Sequence, residues 1–405
     1  MPAASQLRGR SLSVSLRDRC AIAGIGATSF SRDSQRSVLT LATEAALDAV
    51  EDAGMDLAEI DGVICSDYDE VIPTDLAYSL GLDGITYWGT VGSAGAAPCA
   101  MIGHAMAAII AGMASNVLVF RALNGRSGPR FGAASPSAPA KACGGNGTYD
   151  EFISPYGLLV PGQMWALIAR RHMIEYGSTS ADRGAIALAC RRHANANPAA
   201  MMYGRPLTMD AYLGSRMLTD PLRINDYSLE SDGACAVVVT SAERAGDCPQ
   251  PTVLIRAVAQ GTTSEAQPGN FYAAVLRPAV LEQPSRRVAE LLYRRAGLGP
   301  GDIDVAQFYD CFTISVMIQL EDYGFCARGE GGAFASSGAL EPGGRLPITT
   351  AGGNLSEAYI HGMTHVLEGV RQMRGTSTSQ VAGAETCLVT SAIPTPTSAL
   401  ILRAS

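Results

Sequence analysis

Two stretches of this chain share one pattern. AGMDLAEIDGVICSD (53–67) aligns without gaps onto AGLGPGDIDVAQFYD (296–310). Each runs from an Ala-Gly helix end, through a polar link and Ile-Asp, into a strand ending in Asp. Two looser echoes keep the same order in both halves. AIAGIGATS (21–29) pairs with IRAVAQGTT (255–263), and AMAAIIAGMASNVLVFRA (105–122) with EGVRQMRG…GAETCLVTSA (368–392). Such repetition predicts a duplicated unit, and both copies must then bury equivalent faces. The halves divide as 18–251 and 252–405, after a flexible N-terminal extension over 1–17.

The local pattern makes each half α/β. CAIAGIGATSF (20–30), DGVICSD (61–67), ACAVVVTS (234–241) and ETCLVTSA (385–392) read as buried strands. SVLTLATEAALDAVEDAG (37–54) has apolar residues at helical spacing and ends on Gly54. The alternation predicts helices covering a largely parallel sheet. Residues 126–220 fit neither half. They are rich in Gly, Pro, Ser, Met and Arg, with one clear helix over 162–177, and read as an inserted loop region on the catalytic face.

Composition excludes several functions. Over 405 residues, 47% are hydrophobic and only 17% charged, which suits a compact enzyme rather than a disordered chain. The net charge of −8 gives no positive field for nucleic acid or anionic membranes. No apolar run reaches the roughly 18 residues of a membrane span. Ten cysteines form no CxxC pair and sit mostly in apolar text, which points to a reduced, cytoplasmic chain. GIGATSF offers GxG after a strand, but without the full GxGxxG context it is weak support for a dinucleotide. His361 and His365 are four apart, as metal ligands on a helix can be, yet no third ligand is evident and no metal is expected. His104 reads as helix core or interface, and His365 as an ordinary helix residue.

Several motifs converge: the duplicated halves, the insertion, SDGACAVVV (231–239), and RLPITTAGGNLSEAYIHG (345–362). Together they resemble the thiolase superfamily, in its sterol-carrier and lipid-transfer branch. Gly352, Gly353, Leu355, Ser356, Glu357 and Gly362 fall in register with that branch's C-terminal signature. The resemblance implies a thiolase fold, with duplicated βαβαβαββ halves in a five-layer αβαβα core.

The departures bear on function. A thiolase needs a nucleophilic cysteine before a helix, a Gly-His-Pro histidine and a second cysteine near its end. In TVGSAGAAPCAMIGHAMAAIIAG (90–112) the nucleophile position falls near Gly95, with Cys99 about a turn inside the helix. The histidine position is Tyr359, and Ser391 stands near the second cysteine. The oxyanion-hole position of relatives reads Tyr309-Asp310-Cys311-Phe312. Tyrosine at both places resembles the bacterial thiolase-like aldolases of steroid side-chain degradation. That likeness implies retro-aldol cleavage of a β-hydroxyacyl-CoA to a ring ketone and a short acyl-CoA such as propionyl-CoA, with no cofactor beyond the CoA thioester substrate.

The chemistry needs a base for the β-hydroxyl proton, donors for the thioester enolate and an acid for the leaving carbon. Tyr359 as base and Tyr309 as acid divide these roles, with the reverse assignment open. A phenol of ordinary pKa near 10 needs help to act as a base, so Asp310 and His361 are the candidate supports. Gly353, Arg126 and Arg130 are candidate substrate contacts, with Arg170, Arg171, Arg191 and Arg192 further arginines near the CoA region. The resemblance also implies a homodimer and a partner, the OB-fold and zinc-ribbon domain of an acyl-CoA hydratase, in a two-plus-two assembly. The rivals are a thiolase-like acyltransferase and a non-catalytic sterol or lipid carrier.

Overall fold

The computed structural model describes residues 16–92, 94–130, 132, 154–262, 280–393 and 396–405. Nearly all of the expected N-terminal extension and part of the insertion lie outside the described residues.

The first echo is a true structural repeat. After the helix Val38–Asp52 the chain turns left-handed at Gly54, makes a 3-10 turn over Leu57–Glu59 and enters strand β2 (Gly62–Ser66). After the helix Pro284–Ala296 it turns left-handed at Gly297, makes a 3-10 turn over Pro300–Asp302 and enters β9 (Val305–Gln307). The other main strands are β1 (Cys20–Ala27), β3 (Tyr87–Val91), β4 (Val117–Asn124), β7 (Asp232–Ser241), β8 (Val253–Gly261), β10 (Thr386–Thr390) and β11 (Thr397–Ala404). A small hairpin, β5 (Met217–Thr219) with β6 (Leu222–Arg223), stands apart. The strand order β3-β2-β4-β7-β1-β8-β11-β10-β9 is nearly a palindrome of roles. β1 and β8 meet at the centre, where Ala21 pairs Leu254 and Ile22 pairs Val253.

Three ladders in this sheet are parallel (β2–β3, β2–β4 and β9–β10) and five are antiparallel. The sheet is therefore mixed, not largely parallel. The last strand of each half runs against its neighbour, and both faces are still covered, so those strands read as continuous apolar runs like parallel ones.

Strand alternation builds the layers. Along β7, Ala234, Ala236 and Val238 meet the helix Val38–Asp52 on the outside. Cys235, Val237 and Val239 face inward, to the helices Ala97–Ile110 and Met363–Arg374. In the second half, Leu388, Ala399 and Ile401 face outward to the helix Pro284–Ala296, while Cys387, Val389, Leu400 and Leu402 face the same central helices. Helix, half-sheet, central helix pair, half-sheet, helix: these are the five layers expected.

The glycines of GIGATSF serve this packing. A Cβ on Gly24 would lie 2.0 Å from the Ala49 carbonyl oxygen, and one on Gly26 would lie 2.2 Å from that of Ala45. They bring β1 close under an alanine-rich helix, which accounts for them without a nucleotide. The insertion holds more helix than expected. Besides Pro161–Tyr176, a second long helix spans Ser180–Ala196. It buries Arg183, Arg191 and His193 along with its apolar residues, so no clear polar face marks it in the sequence.

Candidate active site

Tyr309 follows β9 at the start of a tightly held turn. Its N–H donates to Thr390 Oγ1 at 2.9 Å. Its carbonyl accepts from Ser315 Oγ at 3.0 Å and Gln319 Nε2 at 2.9 Å, both on the helix Thr313–Asp322. Tyr359 lies between the short helix Gly353–Ser356 and the central helix Met363–Arg374. Its N–H donates to Ser231 Oγ at 3.1 Å, just before β7. Both tyrosines thus come from the second half, and the first half holds Tyr359 in place through Ser231. The phenolic oxygens are 2.9 Å apart. Tyr309 is buried, at 2% exposure, while Tyr359 is only partly covered.

Gly95 completes the pair. A Cβ on Gly95 would sit 2.1 Å from Tyr309 Oη and 2.6 Å from Cζ. The Tyr309 hydroxyl occupies the space that any side chain at this position would need. A cysteine at Gly95 would have to displace the Tyr309 phenol from this position. Cys99 offers no substitute: it is fully buried, its Sγ faces the Val389 carbonyl at 3.5 Å, and burial pushes its thiol up to about 12. Ser391 Oγ accepts from the Cys99 N–H at 3.2 Å, so it caps the central helix instead of facing the phenols.

Asp310 is fully buried behind Tyr309. Its carboxylate accepts from Asn354 N–H at 2.8 Å and Leu355 N–H at 3.1 Å, capping the helix Gly353–Ser356, and it lies 2.9 Å from His365 Nε2. The His365 ring stacks on Tyr309, with centroids 6.2 Å apart. His365, read from the sequence as an ordinary helix residue, is therefore part of the support. Gly353 has φ +61, and its Cβ would strike Asp310 Oδ2 at 2.4 Å, so the Asp310 carboxylate accounts for that glycine.

His361 points elsewhere. It precedes the central helix, whose N-cap is Gly362 with φ +86, so His361 and His365 do not share a helical face. The His361 Nδ1 is hydrogen-bonded to Arg121 on β4, a fully buried arginine that sequence reasoning missed. Its ring meets that of Tyr359 edge-on, with centroids 4.9 Å apart. Among the described residues no group of three or more metal-ligating side chains occurs.

The electrostatics are those of a dry site. Burial drives the Tyr309 phenol well above its ordinary value, and the neighbouring Tyr359 adds to the rise. Burial raises Tyr359 as well, while the Arg121 charge pulls both phenols downward. Burial, then Arg121, depresses His361 far below its usual range. The resting site thus holds two neutral phenols and a neutral imidazole.

A family model described as thiolase C-terminal domain-like matches residues 272–402. A 17-hydroxy-3-oxo-4-pregnene-20-carboxyl-CoA lyase from Mycobacterium tuberculosis is 44% identical over 388 residues, covering 96% of this chain and 100% of the lyase. A steroid side-chain-cleaving aldolase from Thermomonospora curvata is 43% identical over 385 residues, covering 95% of this chain and 97% of the aldolase. The solved Ltp2-ChsH2(DUF35) aldolase matches with a TM-score of 0.89 at 42% identity, over 96% of this chain and 99% of that one. The chain belongs to the steroid side-chain-cleaving aldolases of the thiolase superfamily.

Within this thiolase-like aldolase the arginines sort by surroundings. Arg130, exposed, pairs with Glu230 at 2.5 Å, and Glu230 forms a backbone bridge with Tyr359. The Arg126 N–H donates to Asp232 Oδ1 at 2.9 Å. Arg170 pairs with Asp220, Arg171 with Glu175, and Arg192 with Glu341. Arg191 is buried and donates to Ser356 Oγ at 3.0 Å, which braces the loop that carries Tyr359. His104, expected in a core or interface, is exposed on the single chain. One missed residue was legible: an arginine inside VLVFRALN, a buried strand, has to face a partner or a site.

Proposed function

We propose that this aldolase cleaves a β-hydroxyacyl-CoA thioester of a steroid side chain, giving a ring ketone and a short acyl-CoA such as propionyl-CoA. The phenol pair at 2.9 Å, filling the place of the thiolase nucleophile, carries the reading. It also removes the difficulty of a phenolic base. The β-hydroxyl proton passes to the Tyr359 oxygen, the Tyr359 proton crosses to Tyr309, and the Tyr309 proton goes to the α-carbon. The Cα–Cβ bond breaks, the hydroxyl oxygen becomes the ketone, and both tyrosines end as they began. Neither phenol needs to lose its proton to solvent, so their raised pKa values do not obstruct the cycle. Tyr359, the less covered of the two, is the base and Tyr309 the acid. No cofactor takes part in this scheme.

Incubation with a β-hydroxy steroid-CoA tests it. The ring ketone and the short acyl-CoA should appear in equal amounts. Tyr309→Phe and Tyr359→Phe should keep the fold and lower cleavage by about 10²- to 10⁴-fold each, the usual range for a lost acid or base. Full activity in either variant would remove that residue's role. An acyltransferase would instead trap an acyl-cysteine, for which Gly95 leaves no place. A carrier would bind the thioester without turnover.

The assembly reading rests on the sheet edges. β9 is covered on its outer side by Ile348, whereas among the described residues β3 is paired only with β2, and it presents Trp88 at 64% exposure. An open apolar edge is a template for a second copy, and we assign the homodimer to it. The second component of the solved relative, ChsH2(DUF35), supports a hetero-assembly, and we take the partner to be an OB-fold and zinc-ribbon domain. The nine cysteines among the described residues are all free, which fits a cytoplasmic setting, and no described helix is long and apolar enough to cross a membrane.

A further inference from the structure

Beyond the phenol pair, one buried charge lies against the site. Arg121 is fully buried on the inner face of β4. Its Nη1 lies 3.6 Å from Asp69 Oδ2. Asp69 is itself fixed, accepting from Ser66 N–H at 2.9 Å and Ala122 N–H at 3.1 Å. Among the described residues, Arg121 Nε and Nη1 have no hydrogen-bond acceptor. A guanidinium buried with unsatisfied donors is costly, and its place calls for a reason other than stability. Its Nη2 reaches His361 Nδ1, and His361 holds φ +47, a conformation uncommon for a side chain other than glycine.

The bond between these two has one possible direction. Arginine carries donors and no acceptor, so His361 Nδ1 must accept. A neutral imidazole whose Nδ1 accepts carries its proton on Nε2 and has no free lone pair left. Such a ring can donate but cannot take a proton without breaking from Arg121.

We infer that Arg121 and His361 are positioning residues for the cleavage: Arg121 locks His361 as a neutral, Nε2-protonated ring against Tyr359, bars it from acting as the base, and supplies the positive charge that eases negative charge on the phenols. This deepens the aldolase reading and rests on it. The charged and titratable groups around His361 agree. Arg121 on β4 bonds the ring and Tyr359 in the same loop meets it edge-on, while Asp69, in the turn after β2, reaches it only through Arg121, and Glu230, bridged to Tyr359, only through that residue. The neighbour bonded to the ring is cationic, and it holds the ring neutral, in line with the depressed His361 pKa. Proton traffic is left to Tyr309 and Tyr359.

Histidine labelled with ¹⁵N in the full chain gives a readout independent of activity, with His361→Asn identifying the signals. His361 should show the Nε2-protonated tautomer and should not titrate between about pH 5 and 9, where an ordinary histidine does. A His361 that titrates near 6.5, or carries its proton on Nδ1, overturns the inference. Arg121→Met and Arg121→Gln are each made with Asp69→Asn, so that no carboxylate is orphaned. The Met form should lose kcat by roughly 100-fold with little change in KM, the scale expected for a misplaced catalytic group. The Gln form, which keeps a donor for Nδ1 but no charge, should recover part of that loss and keep the tautomer. Equal, wild-type kcat in both would overturn the role. If the Met form does not fold, the Gln form and the wild-type tautomer decide. A locked His361 in a chain that cleaves no thioester would count against the aldolase reading alone, and a titrating His361 in an active chain against this inference alone.

Discussion

Gly95 is the residue that leaves room for the phenol pair. Its missing side chain gives the Tyr309 hydroxyl its place, 2.1 Å from where a Cβ would stand. Gly95→Ala should therefore push the phenol out of line with Tyr359 and cost roughly 100-fold in kcat, as a misplacement of about 1 Å does. Kinetics on the purified variant check this, and unchanged turnover would mean that the tyrosine position is not held by that gap. Gly95→Cys should fail in the same way and gain no thiolysis. The sequence exposed the substitution but not its cause, since the clash involves residues over two hundred positions apart. A second residue sets a pH dependence. Burial raises Glu357 from 4.5 to about 8, opposed by Arg371 at 3.7 Å. The folded chain thus keeps a proton that the unfolded chain loses near 4.5. Its contribution to stability is full below that value and is lost as pH rises through 8. Melting temperature should fall across this window, and Glu357→Gln should flatten the profile. A wild-type curve already flat between pH 5 and 8 would refute the assignment.

At the scale of elements, the inserted helix Ser180–Ala196 acts as a brace for the loop that ends in Tyr359. Arg191 Nε donates to Ser356 Oγ at 3.0 Å, its Nη1 donates to the Arg205 carbonyl at 3.1 Å, and Asn197 Nδ2 donates to the Ala351 carbonyl at 3.1 Å. The Met201 and Met202 amides donate to the Glu357 and Ser356 carbonyls at 3.0 and 3.2 Å. Arg191→Met leaves the buried Ser356 hydroxyl short of a donor, a cost of about 1–3 kcal/mol. It should lower both thermal stability and kcat, because Ser356 is three residues from Tyr359. A fall in stability alone would limit the brace to a structural part. This helix also marks where sequence reading ran out. The repeated units were legible because their strands and helices bury one continuous apolar face each. A helix that buries arginine and histidine alongside alanine carries no such stripe, and its partners, such as Ser356, lie far away in the sequence.

For the whole molecule, the duplication explains where the site lies. Two half-sheets clasp the central helices Ala97–Ile110 and Met363–Arg374, and the turn into the first and the loop into the second bring Gly95 and Tyr359 to Tyr309 from either side. β3 breaks the symmetry. Among the described residues the second half has only a single bridge, Ile348 to Ala306, in the matching place, and β3 runs by way of Gly92 into the turn that holds Gly95. Pairing of β3 with a second copy would then steady the catalytic turn as well as bury Trp88. Trp88→Glu places a charge on that edge without touching the core, and charge on an edge strand opposes pairing. Light scattering after size exclusion should show the wild type as a dimer and the variant shifted to monomer. Activity per chain should fall with dissociation and recover as protein concentration restores the dimer. A monomeric variant with full activity would separate assembly from catalysis, and a variant that stays dimeric would move the interface off this edge.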